Sequence, residues 1–291
     1  MRKETLQKHT KVANDILFYI YTHIETHIDL DELSRDLGVS KFHMHRIFKE
    51  IFGTNIYESI KSIRLQKASS LLLTNKYSTI SEVAAQCGYS SHSSFIKAFR
   101  ARFGKSPKRW REGGYKTYSD RMLRQSGIET GSTAEFDGME PVIEKRPEME
   151  SYYIRHKGYG AAIRQTWQKL QTWVLDNGIS EYRQIALFHD NPTVTPLDEC
   201  RYIACIVTGP GEKVKSDRLP KFKISGGIYA RFDLQGRHED FLRFIHWVYH
   251  VWLPRSEYET TTKPSYAVYR KNNFLSDDGT FDLSFYISIR Y

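Results

Sequence analysis

The sequence predicts a multidomain chain in two parts: an all-α region of two helix-turn-helix units, then an α+β domain of two strand-helix-strand-strand repeats. Three observations lead there. One segment is written twice, as GVSKFHMHRIFKEIFG at 38–53 and GYSSHSSFIKAFRARFG at 88–104. Charge is unevenly placed: residues 1–116 hold 20 Lys and Arg against 11 Asp and Glu, whereas 117–291 hold 23 of each, so the whole +9 excess lies in the first part. Beyond residue 139 the apolar period shifts from helical spacing to alternation. A length of 291 residues suits two domains, each able to bury a core.

The first helix is expected within 11–26, where Val12, Ile16, Ile20 and Ile24 recur every four residues. Asp29 or Asp31 can cap a short helix carrying Leu30, Leu33 and Leu37, closed by Gly38. Ser40 then caps a helix over 41–52 whose inward face is expected to be Phe42, Ile47, Phe48 and Ile51. Residues 56–73 form a longer helix. Thr79 caps the next short helix, Gly88 turns the chain, and Ser90 or Ser91 opens a helix running to Phe103. Gly38 and Gly88 correspond, as do Gly53 and Gly104, with one residue inserted before the second recognition helix. Two copies have a geometric use: successive stretches of major groove on one side of a duplex lie about 34 Å apart, so one chain can span both. The positions left pointing outward suit DNA, namely Lys41, His43, His45, Arg46 and Lys49 in the first copy, and His92, Ser93, Ser94, Lys97 and Arg100 in the second. Arg favours guanine edges and Lys favours phosphates. Affinity is expected to fall steeply with salt. His45 titrates ordinarily near 6.5; a neutral, hydrogen-bonding form is expected over one that gains charge at mild acidity.

These residues resemble the DNA-binding region of the AraC/XylS family of bacterial transcription regulators over 1–112. The stretch ISEVAAQCGYSSHSSFIKAFRARFGKSPKRWR carries the likeness. The resemblance implies that Phe42, His45 and Arg46 of one helix and Ser91, His92, Ser93, Ile96 and Lys97 of the other meet double-stranded DNA. SKFHMHRIFK is most similar to the subgroup that includes Rob, the right-origin-binding protein, and the multiple-resistance activators. That subgroup usually has Trp at position 42 and Gln at 45, so a different operator sequence is implied.

Residues 113–138, with Gly113, Gly114, Gly127, Gly131 and Gly138 among Ser and Thr, read as a linker. Strands follow at 150–158, 183–190, 201–209, 227–236, 265–271 and 281–291, with helices at 161–176 and 239–252. Strand 151–157, helix 161–176 and strands 184–189 and 201–208 match strand 228–234, helix 239–252 and strands 265–270 and 282–289. Two such units can join in one pseudo-symmetric antiparallel sheet with both helices on one face. The junction is a natural place for a small molecule.

Residues 139–291 resemble the gyrase-inhibitor-like effector domain, on FHDNPTVTPLDECRYIACI (188–206), GGIYARF (226–232) and VWLPRSEYE (251–259). The whole order matches Rob-like regulators. The family usually shows Pro-x-x-Glu-x-Tyr on the late strand, whereas this chain has Ala267 in the Glu position of 264–269. Buried carboxylates need a cationic partner. Without one, the expected effector is lipophilic or aromatic and not chosen by charge at position 267. Expected pocket walls are Tyr153, Trp167, Trp173, Leu187, Tyr229, Trp252, Tyr266, Ala267 and Tyr269.

Other chemistry is not expected. The three cysteines, Cys87, Cys200 and Cys205, form no CxxC pair, which argues for a reducing compartment. The pair His23 and His27 departs from H-E-x-x-H, and no third ligand is evident, so neither metal nor cofactor is expected. No apolar run is long enough to span a membrane, and a cytoplasmic location follows. The chain reads as a sequence-specific regulator, not an enzyme, with its second half sensing a small molecule or contacting a partner such as RNA polymerase. The competing reading is a DNA-tethered enzyme, hydrolase-like, or a pure interaction domain.

Overall fold

The computed structural model describes residues 3–125, 133–215 and 218–291. The chain divides into two compact units. One holds 1–69 and 78–108; the other holds 70–77 and 109–291. The last turn of one helix, with the loop after it, therefore clusters with the second unit, and the first unit ends four residues before the expected 112.

The helical unit contains α1 (Lys3–Thr22), α2 (Leu30–Asp36), α3 (Lys41–Phe52), α4 (Ile56–Thr74, whose last turn belongs to the other unit), α5 (Ile80–Gln86) and α6 (His92–Phe103). Local signals fix the starts. The Asp29 carboxylate accepts from the backbone N–H of Asp31 and Glu32, opening α2. Ser40 and Ser91 each accept from the N–H three residues on, opening α3 and α6. Thr79 and Glu82 form a reciprocal capping box for α5. Gly53 and Gly104 close α3 and α6 in left-handed conformation, with φ of 72° and 71°. Apolar faces then meet. Ile16, Ile20, Met44, Phe48, Ile60 and Ile63 share one buried cluster, while Phe95, Phe99 and Phe103 follow one another along α6 with ring centroids 5.6 and 4.6 Å apart. α1 begins well before the expected residue 11. Its first two turns are polar, and apolar periodicity marks only the part of a helix that is covered.

The stretch expected as a linker contains α8 (Tyr115–Gln125), which follows the short α7 (Pro107–Arg109) and a π-helical turn over Trp110–Gly114. Tyr115, Ser119 and Leu123 are buried at helical spacing, a face hidden in the sequence by the flanking glycines. Gly127 and Gly131 lie outside the described residues.

Among the described residues the sheet unit holds one antiparallel sheet of nine strands: β1 (Val142–Arg146), β2 (Met149–Lys157), β3 (Tyr182–Phe188), β4 (Arg201–Thr208), β5 (Lys221–Ile224), β6 (Gly227–Gly236), β7 (Glu259–Thr260), β8 (Ser265–Lys271) and β9 (Phe281–Arg290). Their order is β1-β6-β9-β8-β3-β4-β2-β5, with β7 beside β9. The core β6-β9-β8 and β3-β4-β2 are mirror-ordered, as two joined repeats require. β1, β5 and β7 are short and were not foreseen. Helices α9 (Ile163–Asn177) and α10 (His238–Trp247) pack on the same face, and α10 continues through a π-helical turn (Val248–Trp252) into α11 (Leu253–Arg255). The sheet curls, because its ends are tied twice: two residues join β1 to β2, and two join β5 to β6. A Cβ on Gly226 would lie 2.8 Å from the Glu148 nitrogen, so these two connections touch.

At the repeat junction β3 pairs with β8, and Ala186 faces Ala267. Elsewhere in this unit Asn75, fully buried, binds the Thr260 backbone with both ends of its amide, Nδ2 donating to Thr260 O and Oδ1 accepting from Thr260 N, each at 2.9 Å. All three cysteines are buried and unpaired with one another.

Candidate nucleic-acid interface and effector cavity

On α3, Met44, Ile47 and Phe48 point into the core, so helical geometry turns Phe42, His45, Arg46 and Lys49 outward or to the flank. Phe42 is 80% exposed. Packing does not hold a large ring in water, so this ring is available for an apolar partner such as a thymine methyl. It is not the core residue its apolar character suggested. Lys41 Nζ pairs with an Asp31 carboxylate oxygen at 2.9 Å, which anchors its amine beside α2. His45 is half-buried and stacks on Tyr57 at 5.5 Å. Burial, with Lys41 nearby, lowers its pKa, so the ring is neutral at pH 7. Arg46 is exposed, and its Nη2 donates to His43 Nδ1 at 2.9 Å.

On α6, Phe95, Phe99 and Phe103 are inward. His92, Ser93, Lys97 and Arg100 are exposed, and Ile96 is half-buried. The Ser91 oxygen serves as the cap, accepting from Ser94 N at 3.3 Å. Every DNA-facing position expected from sequence thus lies on the solvent side or flank of its helix.

In the sheet unit a cavity of about 20 Å³ sits on the helix-covered face, room for about one water. Its walls include Tyr159, Ile163, Phe188, Tyr202, His238, Phe241, Tyr269 and Leu283. Three pairs among these are repeat equivalents: Ile163 with Phe241, Phe188 with Tyr269, and Tyr202 with Leu283. The cavity therefore lies on the internal pseudo-symmetry axis. Burial pushes the Tyr269 phenol up to about 12 and raises Tyr159 and Tyr202 well above the ordinary phenol value as well. Burial also lowers His238. The walls are accordingly uncharged at neutral pH, and no carboxylate lines them.

Residues 33–113 match the model of a helix-turn-helix domain, and 139–290, just over half of the chain, match the GyrI-like small molecule binding domain. The chain is 33% identical over 105 residues to the probable transcription factor PqrA of Proteus vulgaris, covering 35% of this chain and 85% of that one. It is 31% identical over 110 residues to the HTH-type transcriptional activator AarP of Providencia stuartii, covering 38% and 80%. To the right origin-binding protein of Escherichia coli K12 it is 31% identical over 101 residues, 34% of each. The chain belongs to the AraC-type transcription regulators that carry a GyrI-like domain. It binds DNA through its helix-turn-helix region and bears a small-molecule-binding domain behind it.

In this AraC-type regulator the expected pocket residues do not assemble into one site. Only Tyr269 lines the cavity. Trp167 stands one layer behind, donating Nε1–H to the Tyr202 hydroxyl at 3.0 Å and meeting Tyr269 edge-on at 5.7 Å. Trp173 packs on Tyr152 at 4.7 Å, and Trp252 lines a separate groove of about 560 Å³ with Trp247 and Tyr258. Ala267 is fully buried in the core cluster with Phe241, Phe244 and Phe285 and does not reach the cavity. Tyr153, Leu187, Tyr229 and Tyr266 lie on the opposite face of the sheet. There Tyr266 stacks on Tyr286 at 4.6 Å, and the Arg146 guanidinium covers Tyr286 at 5.1 Å. Strand alternation told these two faces apart but not which one carries the helices. Phe188, Tyr202, Phe241 and His238 line the cavity and were not among the residues expected from sequence. Phe188 and Tyr202 could have been found by pairing across the repeat from Tyr269 and Leu283.

Among the described residues no helix is long and apolar enough to cross a membrane.

Proposed function

We propose that this regulator reads bases chiefly through α3, with Phe42, His45 and Arg46, and grips phosphates through α6, with Lys97 and Arg100. We propose further that its effector is uncharged and aromatic. The exposed side-chain chemistry of the two recognition helices supports the first part: α3 offers a guanidinium, a neutral imidazole and a bare phenyl ring, whereas α6 offers hydroxyls and cations. For the effector, the decisive observation is a cavity walled by aromatic rings and neutral phenols, with no carboxylate among its lining residues to favour a lipophilic cation. This reading describes a sensor and not an enzyme; the cavity brings together no nucleophile with a paired general base.

One experiment tests both parts. Preferred sites are selected from random duplexes with the wild-type chain and with Arg46→Ala, in the presence and absence of matched neutral and cationic aromatic compounds. Arg46→Ala is expected to cost about 1–3 kcal/mol and to flatten preference at one base pair. Neutral compounds should shift the selected affinity and cationic ones should not. Unchanged preference in Arg46→Ala removes the base-reading role, and a response confined to cations removes the effector assignment.

A further inference from the structure

We infer that His43 is a positioning residue for base recognition: it holds the Arg46 guanidinium in the direction from which it enters the major groove. The inference rests on the base-reading role of Arg46 proposed above. The contact is direct, Nη2 to Nδ1 at 2.9 Å, an ordinary hydrogen-bond length. Because Arg46 donates, His43 Nδ1 accepts, and the ring proton sits on Nε2. Helical side chains lean over the preceding turn, so Arg46 covers the turn that carries Phe42 and His43, at the start of α3.

The imidazole is itself held from behind. His9 of α1 meets it edge-on, with centroids 5.6 Å apart and planes 78° from parallel. His9 Nδ1 is in turn 3.2 Å from a Glu50 carboxylate oxygen of α3. A chain of four side chains, Glu50, His9, His43 and Arg46, thus runs from the packed seam of α1 and α3 out to the recognition face. A free arginine loses much rotamer freedom when it engages a base, and a guanidinium already held loses less. The guanidinium has five N–H donors. One spent on His43 leaves enough for the two bonds that guanine O6 and N7 accept. The second copy lacks this device: Ser94 and Lys97 stand at the equivalent positions, and neither carries an imidazole or a guanidinium.

The test measures base preference by competition among duplexes carrying each base at the Arg46 position. It uses the full chain as wild type, His43→Ala, His43→Asn, Arg46→Ala and the double variant His43→Ala with Arg46→Ala. His43→Ala should lower discrimination at that base pair by roughly 3- to 10-fold, the size of a coupling between neighbouring side chains. His43→Asn, whose Oδ1 can accept the same bond, should restore it; this variant also serves if His43→Ala proves unstable on heating. In the Arg46→Ala background, removing His43 should change nothing further. Wild-type discrimination in His43→Ala, or an equal loss in the absence of Arg46, overturns the positioning role while base reading by Arg46 stands. No effect of Arg46→Ala itself strikes the base-reading role and the inference together.

Discussion

The two helix-turn-helix copies share a skeleton and differ in what they present. Ser40 and Ser91 open the recognition helices with the same bond, Gly53 and Gly104 close them at φ of 72° and 71°, and Phe48 and Phe99 are both fully buried. On the outer faces almost nothing corresponds. Phe42 stands opposite Ser93, His43 opposite Ser94, His45 opposite Ile96 and Arg46 opposite Lys97. Caps, turns and core decide that a helix exists and where it ends. The residues left over decide what it reads, and they have diverged while the frame has not.

The comparison breaks most visibly at the turns. Gly38 and Gly88 have φ of 63° and 72°, yet a Cβ on Gly38 meets nothing within 4 Å, whereas one on Gly88 would lie 2.5 Å from the Ile24 carbonyl oxygen and collide with the Arg64 guanidinium. Arg64 is itself committed, donating to the Thr26 carbonyl at 2.8 Å. Gly38→Ala should therefore cost only the left-handed strain, about 1–2 kcal/mol. Gly88→Ala adds overpacking and should cost roughly 2–5 kcal/mol. Urea unfolding of both variants checks this; equal losses would show that the two turns are interchangeable after all.

Where the copies agree, their variants should agree too. Ser40→Ala and Ser91→Ala each remove one cap bond, and each should cost about 1 kcal/mol in thermal unfolding. A large difference between them would mean that one cap is supported from elsewhere.

The smallest effect concerns pH. Burial lowers the His45 pKa below 6.5, and Ile96, its counterpart, does not titrate. The unfolded chain then takes up this proton before the folded one does, so the stability His45 contributes is fully present above about pH 6.5 and declines as the pH falls below it. Between pH 8 and 7 base preference under α3 should be constant. A clear change in that window, followed by the same competition assay, would show that His45 carries charge at neutral pH.

Much of this architecture was legible in the sequence. The bounds of α3, β6 and β8 follow from Ser40, from the glycines around 227 and 236, and from clean alternation in SYAVYRK. The face of α8 was hidden because Gly113, Gly114 and Gly127 read as a linker, although Tyr115, Ser119 and Leu123 keep helical spacing between them. The short edge strands β1 and β5 carry too few residues to show a period. On the helical side the exposed positions of α3 and α6 were readable from a single apolar stripe, Phe42 excepted, whose ring was placed inward and stands in solvent. On the effector side the candidate positions were not. Both sheet faces are apolar, so Tyr229 and Tyr266 looked as eligible as Tyr269. Only the packing of α9 and α10 distinguishes them, and that is set by residues far away in the chain.

The chamber between the repeats is no bigger than a single solvent molecule. A larger guest in this chamber must displace wall side chains that both repeats contribute, such as Phe188 and Tyr269. In this chamber, then, occupancy and distortion would be a single event.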